Sequence, residues 1–387
     1  MDQTSLNQTY RLLALCARAE GHTLFYEQLN RLLLDFTAWD ALPAQAELHG
    51  MGPLLWHHLQ KTDIAIPVET QRSLRALYLR HRALNQAHFH ALAELLKLFE
   101  QANICPLVLK GLALAYQYYP DPALRPVGDI DLLLKQSDVL LALHLLEAAG
   151  YRVNLPNPNL RLLPKELTAY SPYHNGVSTH IELHHYNLEH KTFNDNSPDN
   201  EFKDFIQPPQ LLMIDGCAIY TSSPMDTLRY LNRHMIQHLY AARVDKPLSL
   251  KWSADIINLV ERHAGSMDWS EFQRRDPAFL RRLAVLYSLT PLPEMYEKVI
   301  PIEKIKHPPG LDQYPGGWPQ WPFPNWKRVG FWRYLWRTFS TPSIWWLCLC
   351  YGTDEQSSFW YGQVLHRLRV LKLMLWALVR RVLRIQR

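Results

Sequence analysis

The sequence predicts an α+β protein in which a stranded core lies between two helical regions. Three observations predict it. Apolar residues recur at three- and four-residue steps before residue 100 and again between 225 and 300. Between those regions, from Ile104 to about 190, the pattern changes to short, partly β-branched apolar runs bounded by Gly, Pro and Asn. The chain has 387 residues, 48% hydrophobic and 20% charged, which is enough to bury a core and to divide into domains.

The helical spacing is clear in "TYRLLALCARA", in "LFYEQLNRLLLDF" and over the long stretch from Val68 to Ala102, with Pro43, Pro53 and Pro67 as punctuation. "ICPLVLKG" then reads as a strand closed by Gly111, and "LALAYQYY" as a helix that stops near Pro120 and Pro122. "VGDIDLLL" is a second strand. "SDVLLALHLLEAAG" is a helix with Ser137 as its N-cap and Gly150 at its end. "YRVNL" is a third strand, and "VSTHIELHHYNL", after a Pro- and Asn-rich loop, is a fourth. Helices return in "PMDTLRYLNRHMIQHLYAA", "LKWSADIINLVERHAG" and "WSEFQRRDPAFLRRLAVLYSL". The divisions expected are a helical region at 1–100, an α/β core at 101–222, a second helical region at 223–304, a Pro- and Trp-rich linker at 305–330 and an aromatic, basic tail at 331–387.

Composition narrows the class. The five cysteines are scattered and odd in number, which argues against a disulfide framework and for reduced thiols. The N-terminus lacks a signal-peptide pattern, and no window holds the roughly 18 uninterrupted apolar residues of a spanning helix. The expectation is a cytoplasmic protein, soluble or peripherally attached. Net charge is +5, but it is unevenly spread: from Gln356 to Arg387 there are seven basic residues and no acidic one. Leu368, Leu371, Leu375, Leu378, Val382 and Ile385 recur there at helical steps, so the 365–387 segment reads either as a helix on an anionic membrane surface or as one docked on its own protein.

The chemistry concentrates in "RPVGDIDLLL". Strand side chains alternate, so Asp129 and Asp131 share one face while Ile130, Leu132 and Leu134 share the other. Two carboxylates on one face repel unless a cation lies between them. "HIELHH" places His180, Glu182 and His184 on one face in the same way, so a neighbouring pairing would add a third carboxylate. Three carboxylates on adjacent strands can hold two Mg²⁺ ions for in-line phosphoryl or nucleotidyl transfer. Taken alone, a D-x-D strand is equally explained as a polar strand face. Lys110 and Gly111 supply a cation and a close backbone approach for a phosphate, and Arg125 is a second cation candidate. His234 and His238, four apart, share a helix face and line a cleft or pack together. Asp255 reads as a cap or an ion-pair partner within the helical bundle. Arg243 and Lys246 read as a solvated loop.

The ordered set "LVLKGLALAYQYYPDPALRPVGDIDLLL" followed by "HIELHH" resembles the uncharacterised nucleotidyltransferase family of the polymerase-beta-like superfamily. The helical stretches "WDALPAQAELHGMGPLLWHHL" and "LNRHMIQHLYAARVDKPLSLKWSADIINLV" resemble its flanking regions, so the resemblance covers roughly residues 20 to 300. It implies a nucleotidyltransferase-type mixed sheet and transfer of a nucleoside monophosphate from an NTP, such as ATP, to a hydroxyl acceptor. It also implies that Asp129, Asp131 and Glu182 bind two Mg²⁺ ions and that Lys110 and Gly111 contact the triphosphate. The acceptor stays open: a protein, an RNA end, a sugar or a small molecule. One departure is plain. The wider superfamily uses Gly-Ser as its phosphate motif; here Lys-Gly stands, with seventeen residues between Gly111 and Asp129. The missing Ser hydroxyl keeps open a non-catalytic nucleotide- or partner-binding module on the same fold.

Overall fold

The computed structural model describes residues 3–154, 166–173, 176–186, 207–241, 249–302, 344–352, 364–368, 370–372 and 375. The linker expected at 305–330 and most of the tail lie outside the described residues, as do Arg243 and Lys246.

Five helices come first: α1 (Gln3–Leu15), α2 (Thr23–Leu34), α3 (Leu42–Leu48), α4 (Gly52–Leu59) and α5 (Val68–Glu100). At 33 residues, α5 is about 50 Å long. Its buried stripe runs Leu74, His81, Asn85, His88, Leu92, Leu95 and Phe99, at three- and four-residue steps and one step of seven. Leu74 packs into a core made by the helices, whereas Leu92, Leu95 and Phe99 pack into a second core beneath the sheet. Asn85 and His88, in the polar middle of the stripe, have specific partners. Asn85 Nδ2 donates to the carbonyls of Pro122 and Arg125 and its Oδ1 accepts from Val127 N, while His88 Nδ1 lies 3.0 Å from Thr179 Oγ1.

The sheet follows, with α6 (Leu112–Tyr118) after β1 (Leu107–Val108) and α7 (Val139–Ala148) after β2 (Asp129–Lys135). Then come β3 (Arg152–Val153), β4 (Glu166–Tyr170), β5 (His180–Tyr186), β6 (Gln210–Ile214) and β7 (Cys217–Thr221). The seven strands lie in the order β3-β4-β5-β2-β1-β7-β6. The β2–β5 and β1–β7 pairs are parallel and the rest antiparallel, so the sheet is mixed as expected. The alternation in β2 is realised: Ile130, Leu132 and Leu134 join Ile181 and Leu183 of β5 in the core under α5, α6 and α7. Leu132 is fully buried, and such burial stabilises by about 1.5–3 kcal/mol. The opposite face of β2 carries Asp129, Asp131 and Leu133.

The second helical region contains α8 (Pro224–Ala241), α9 (Lys251–His263), α10 (Trp269–Arg275) and α11 (Pro277–Tyr287). A further helix, α12 (Ile344–Tyr351), packs against α11 and α8 and buries Leu347, Cys348, Leu349 and Cys350. The aromatic segment ahead of the tail is therefore part of the helical core.

Three sequence expectations change. Ser137 does not cap α7: a one-turn 3₁₀ helix, Gln136–Asp138, precedes it, and Ser137 Oγ donates to Asp138 Oδ1 instead. The stretch from Trp269 to Leu289 is two helices, because Pro277 at the first turn of α11 forces Asp276 out of the helical region. Among the described residues the strands number seven, with β4 and the β6–β7 hairpin additional to the four expected.

Candidate active site

The site is built by the parallel pairing of β2 with β5. Its register sets Asp131 opposite Glu182 and Asp129 opposite His180. All four then project from one face, away from the apolar core. Two groups result in which every ligand atom lies within 4.8 Å of the others: Asp129, His180 and Glu182, and Asp131, Glu182 and His184. Glu182 belongs to both. His184 Nε2 lies 3.2 Å from Asp131 Oδ1 and 3.8 Å from Glu182 Oε2, and His180 Nδ1 lies 3.7 Å from Glu182 Oε1. His180 also stacks on Tyr170, with ring centroids 4.8 Å apart, which fixes its plane.

Asp131 is the buried member, with 1% of its surface exposed. Burial alone would push its carboxyl up. The ammonium of Lys110, 3.0 Å from Oδ1, and the bond from His184 outweigh that and hold it below the usual carboxylate range. Its Oδ2 has no hydrogen-bond partner among the described residues. An ionised, buried oxygen without a partner is costly, and a cation would satisfy it. Lys110 shows the reciprocal balance: burial pushes its ammonium down, but Asp131, Tyr230 and Asp129 raise it above the ordinary value. The donor set of three carboxylates backed by imidazoles thus fits a hard divalent cation.

Gly111 follows Lys110 with φ 57° and ψ −116°, a conformation that a side chain opposes. A Cβ there would lie 3.3 Å from the carbonyl oxygen of Asp129. The glycine lets the loop between β1 and α6 pass directly over the start of β2.

Facing the carboxylates across a cleft of about 470 Å³ are side chains from α8 and α9. Tyr230, His234, Gln237 and His238 come from the first, Lys251 and Trp252 from the second. The rings of His234 and His238 are 4.3 Å apart, and His238 lies 4.3 Å from Trp252 at 31°. Burial, reinforced by Lys110, pushes His234 well below the ordinary imidazole value and His238 down to about 4. Both rings are neutral at pH 7. The cleft is also lined by Lys110, Gly111, Arg125, Asp129, Glu182 and His184, so these candidates and the two α8 histidines surround one space, with Asp131 beneath it; His180 and Asp255 do not line it.

Arg125 has a partner that the sequence did not reveal. Its Nε and Nη2 each donate over 2.7 Å to the two carboxylate oxygens of Asp255, and Tyr119 Oη donates to Oδ1 of the same group. Burial pushes the guanidinium down, but Asp255 prevails and raises it. Asp255 is an ion-pair partner, but it reaches from α9 to the segment that leads from α6 into β2 rather than within the bundle. Lys251, Trp252, Tyr230 and Gln237 were not singled out in the sequence. The only local hint was "KWSAD", a Lys and a Trp one turn before an Asp on an apolar helix.

No curated protein matches the sequence. Among solved structures, ANT(2")-Ia in complex with adenylyl-2"-tobramycin shares 13% identity at a TM-score of 0.32, covering 46% of this chain and 89% of that one. An antigenic nucleotidyltransferase-like protein from Paracoccidioides brasiliensis shares 13% identity at a TM-score of 0.30, covering 57% and 96%. These likenesses are too distant to carry an argument about this chain. The model of one family, described as uncharacterised nucleotidyltransferase, matches residues 35–296, more than half of the chain and the whole of the sheet with helices α3 to α11. The chain belongs to that uncharacterised nucleotidyltransferase family.

Proposed function

We propose that this protein is a Mg²⁺-dependent enzyme that transfers a nucleoside monophosphate from an NTP, ATP among them, to a hydroxyl acceptor. The observation that carries the reading is the β2–β5 register, which sets Asp131 beside Glu182 with Asp129 on the same face, under a cleft lined by cations. Asp129, Asp131 and Glu182 would hold two Mg²⁺ ions, which supply neutralising charge to the phosphates and to the attacking oxygen. His184 orients Asp131 and Glu182 through its Nε2. Lys110 and Gly111 lie where the phosphates would enter. In the transfer, the acceptor oxygen bonds to the α-phosphorus and the bond to the bridging oxygen breaks. Pyrophosphate leaves, and Glu182 takes the hydroxyl proton. The scattered, odd-numbered cysteines support a reducing compartment, the cytoplasm.

Incubation of the full chain with α-labelled nucleotides, Mg²⁺ and a cell extract tests the proposal. Label should pass to an acceptor with wild-type protein and not with Asp129→Asn/Asp131→Asn. Absence of transfer, together with unchanged nucleotide and metal binding by the double variant, would sink it. The second reading is a nucleotide- or partner-binding module without turnover. It is supported by the Lys110–Asp131 ion pair, which occupies an oxygen a metal would need. Tight nucleotide binding with no transfer would select it.

We also propose an anionic membrane surface as a partner of the 365–387 segment. Among the described residues, Val364, Leu368, Leu371 and Leu375 are exposed at helical spacing, beside exposed Arg367 and Lys372. No described helix is long and apolar enough to cross a membrane, so the attachment would be interfacial. Co-sedimentation with phosphatidylserine vesicles, but not with neutral ones, should be lost in a chain cut after Gly352. Equal sedimentation of both chains would remove the tail from the account.

A further inference from the structure

We infer that Lys251, on the helical wall of the cleft, is the cation that receives the triphosphate; this rests on the nucleotide reading above. Three cations line the cleft among the described residues: Lys110, Arg125 and Lys251. Two are already matched. Lys110 pairs with Asp131 at 3.0 Å, and Arg125 is bound through two nitrogens by Asp255. Lys251 has no carboxylate within ion-pair distance among the described residues. Its Nζ donates to the carbonyl of Pro126 over 3.1 Å, which satisfies one proton and no charge. Lys251 is half-buried on the cleft wall, and an ammonium there without a paired carboxylate leaves its charge for an anionic ligand to meet. Its ionisation agrees: burial, then Arg125, pushes Lys251 down to about 8 against the opposing pull of Asp255 and Asp129.

The side chain is also held in place before any ligand arrives. Lys251 opens α9, and its N–H donates to the carbonyl of His49. Gly50 turns there with φ 65°, and a Cβ on it would stand 3.3 Å from both Cβ and Cδ of Lys251, so the lysine stem lies packed on the glycine backbone. One helical turn on, Asp255 is gripped by Arg125 and Tyr119. The first turn of α9 is thus fastened to the segment between α6 and β2 and to the end of α3, and Lys251 is held on the cleft wall that faces Asp129 and Glu182. A triphosphate whose α-phosphate sat at the carboxylates would extend across the cleft toward this ammonium. Arg125, by contrast, acts as a positioning residue through Asp255.

The competing account is that Lys251 only props the Pro126 carbonyl. The full chain, with Lys251→Met, Lys251→Gln and Lys251→Arg, separates the two in a titration with Mg²⁺ and inorganic tripolyphosphate, repeated with each of the four NTPs. A hydrogen bond to a charged group lost at this position should weaken tripolyphosphate binding by about tenfold or more in the Met and Gln variants. Arg should restore most of it, and no variant should melt below wild type. If Gln rescues and Met melts lower or does not fold, Lys251 is a prop and the inference is overturned. If wild type and Lys251→Met bind tripolyphosphate alike, the inference fails while the nucleotidyltransferase reading stands. If wild type binds neither tripolyphosphate nor any NTP, the reading of the site fails and the inference goes with it.

Discussion

Replacing Asp255 by Ala should cost about 3–5 kcal/mol, the penalty for stranding one member of a buried ion pair. The magnitude follows from the surroundings. The side chains of Arg125 and Asp255 are 4% and 0% exposed, and two hydrogen bonds of 2.7 Å join them. Without the carboxylate, the guanidinium keeps its charge in a site closed to water. The apolar double replacement Arg125→Met/Asp255→Leu removes both charges and should recover most of the loss. It leaves the Tyr119 hydroxyl without its acceptor, an unmade bond worth about 1–3 kcal/mol. Adding Tyr119→Phe removes that remainder, so the triple variant should stand close to wild type. The assay is urea unfolding followed by circular dichroism, with the midpoint shifting at constant m. Mg-nucleotide affinity of the triple variant should stay within about tenfold, or ~1.4 kcal/mol, of wild type. A loss below about 1 kcal/mol in Asp255→Ala would show that the pair is not locked. A stable triple variant that no longer binds nucleotide would return Arg125 to the ligand.

Other consequences can be measured directly. Gly111→Ala should destabilise by about 1–3 kcal/mol through its positive φ, and should weaken nucleotide binding because the loop over β2 must shift; an unchanged thermal midpoint would contradict this. A Mg-nucleotide complex at a hundred times its Kd should stabilise the wild-type chain by about 2.7 kcal/mol in chemical denaturation, and Asp129→Asn/Asp131→Asn should show no such increment. His58 is buried, with Nε2 on the carbonyl of Arg18 at 2.7 Å, and burial pushes it down to about 3. Since the folded value lies below the unfolded one of about 6.5, its stabilising effect is complete above pH 6.5 and fades as pH falls toward 3. Relative to His58→Gln, which keeps a donor to that carbonyl, wild type should lose on the order of 2–3 kcal/mol between pH 7 and 4.5. Parallel pH profiles for the two proteins would refute the assignment.

What could be read in the sequence was what local periodicity encodes. The same-face pair Asp129 and Asp131, and Glu182 with its flanking histidines, follow from a period of two, whatever strand lies next to them. The helical faces of α5 and α8 follow from 3.6. The fate of Arg125 could not be read this way, because its partner Asp255 stands 130 positions away on another helix. Lys251 and Trp252 were hidden for the same reason: nothing local says that the start of α9 overlies a sheet. Strand β4 is short and follows a Pro- and Asn-rich stretch, so its alternation of Leu167 and Ala169 had little length in which to show. The β6–β7 hairpin was legible and was missed. Asp215 and Gly216, at φ 45° and 79°, form the Asp-Gly turn that joins such strands.

Helix α5 ties the two halves of the protein into one unfolding unit. Were the helical region at its front to melt alone, the rear of α5 would lose its continuation; were the sheet to melt alone, Leu92, Leu95 and Phe99 would face water. Exposing those three side chains forfeits roughly 5–9 kcal/mol, at about 1.5–3 kcal/mol each. That is comparable with the whole stability of an ordinary domain, about 5–15 kcal/mol. A fragment beginning after Glu100 would therefore carry every metal-site carboxylate and still lack the longest of the helices on which its sheet is laid.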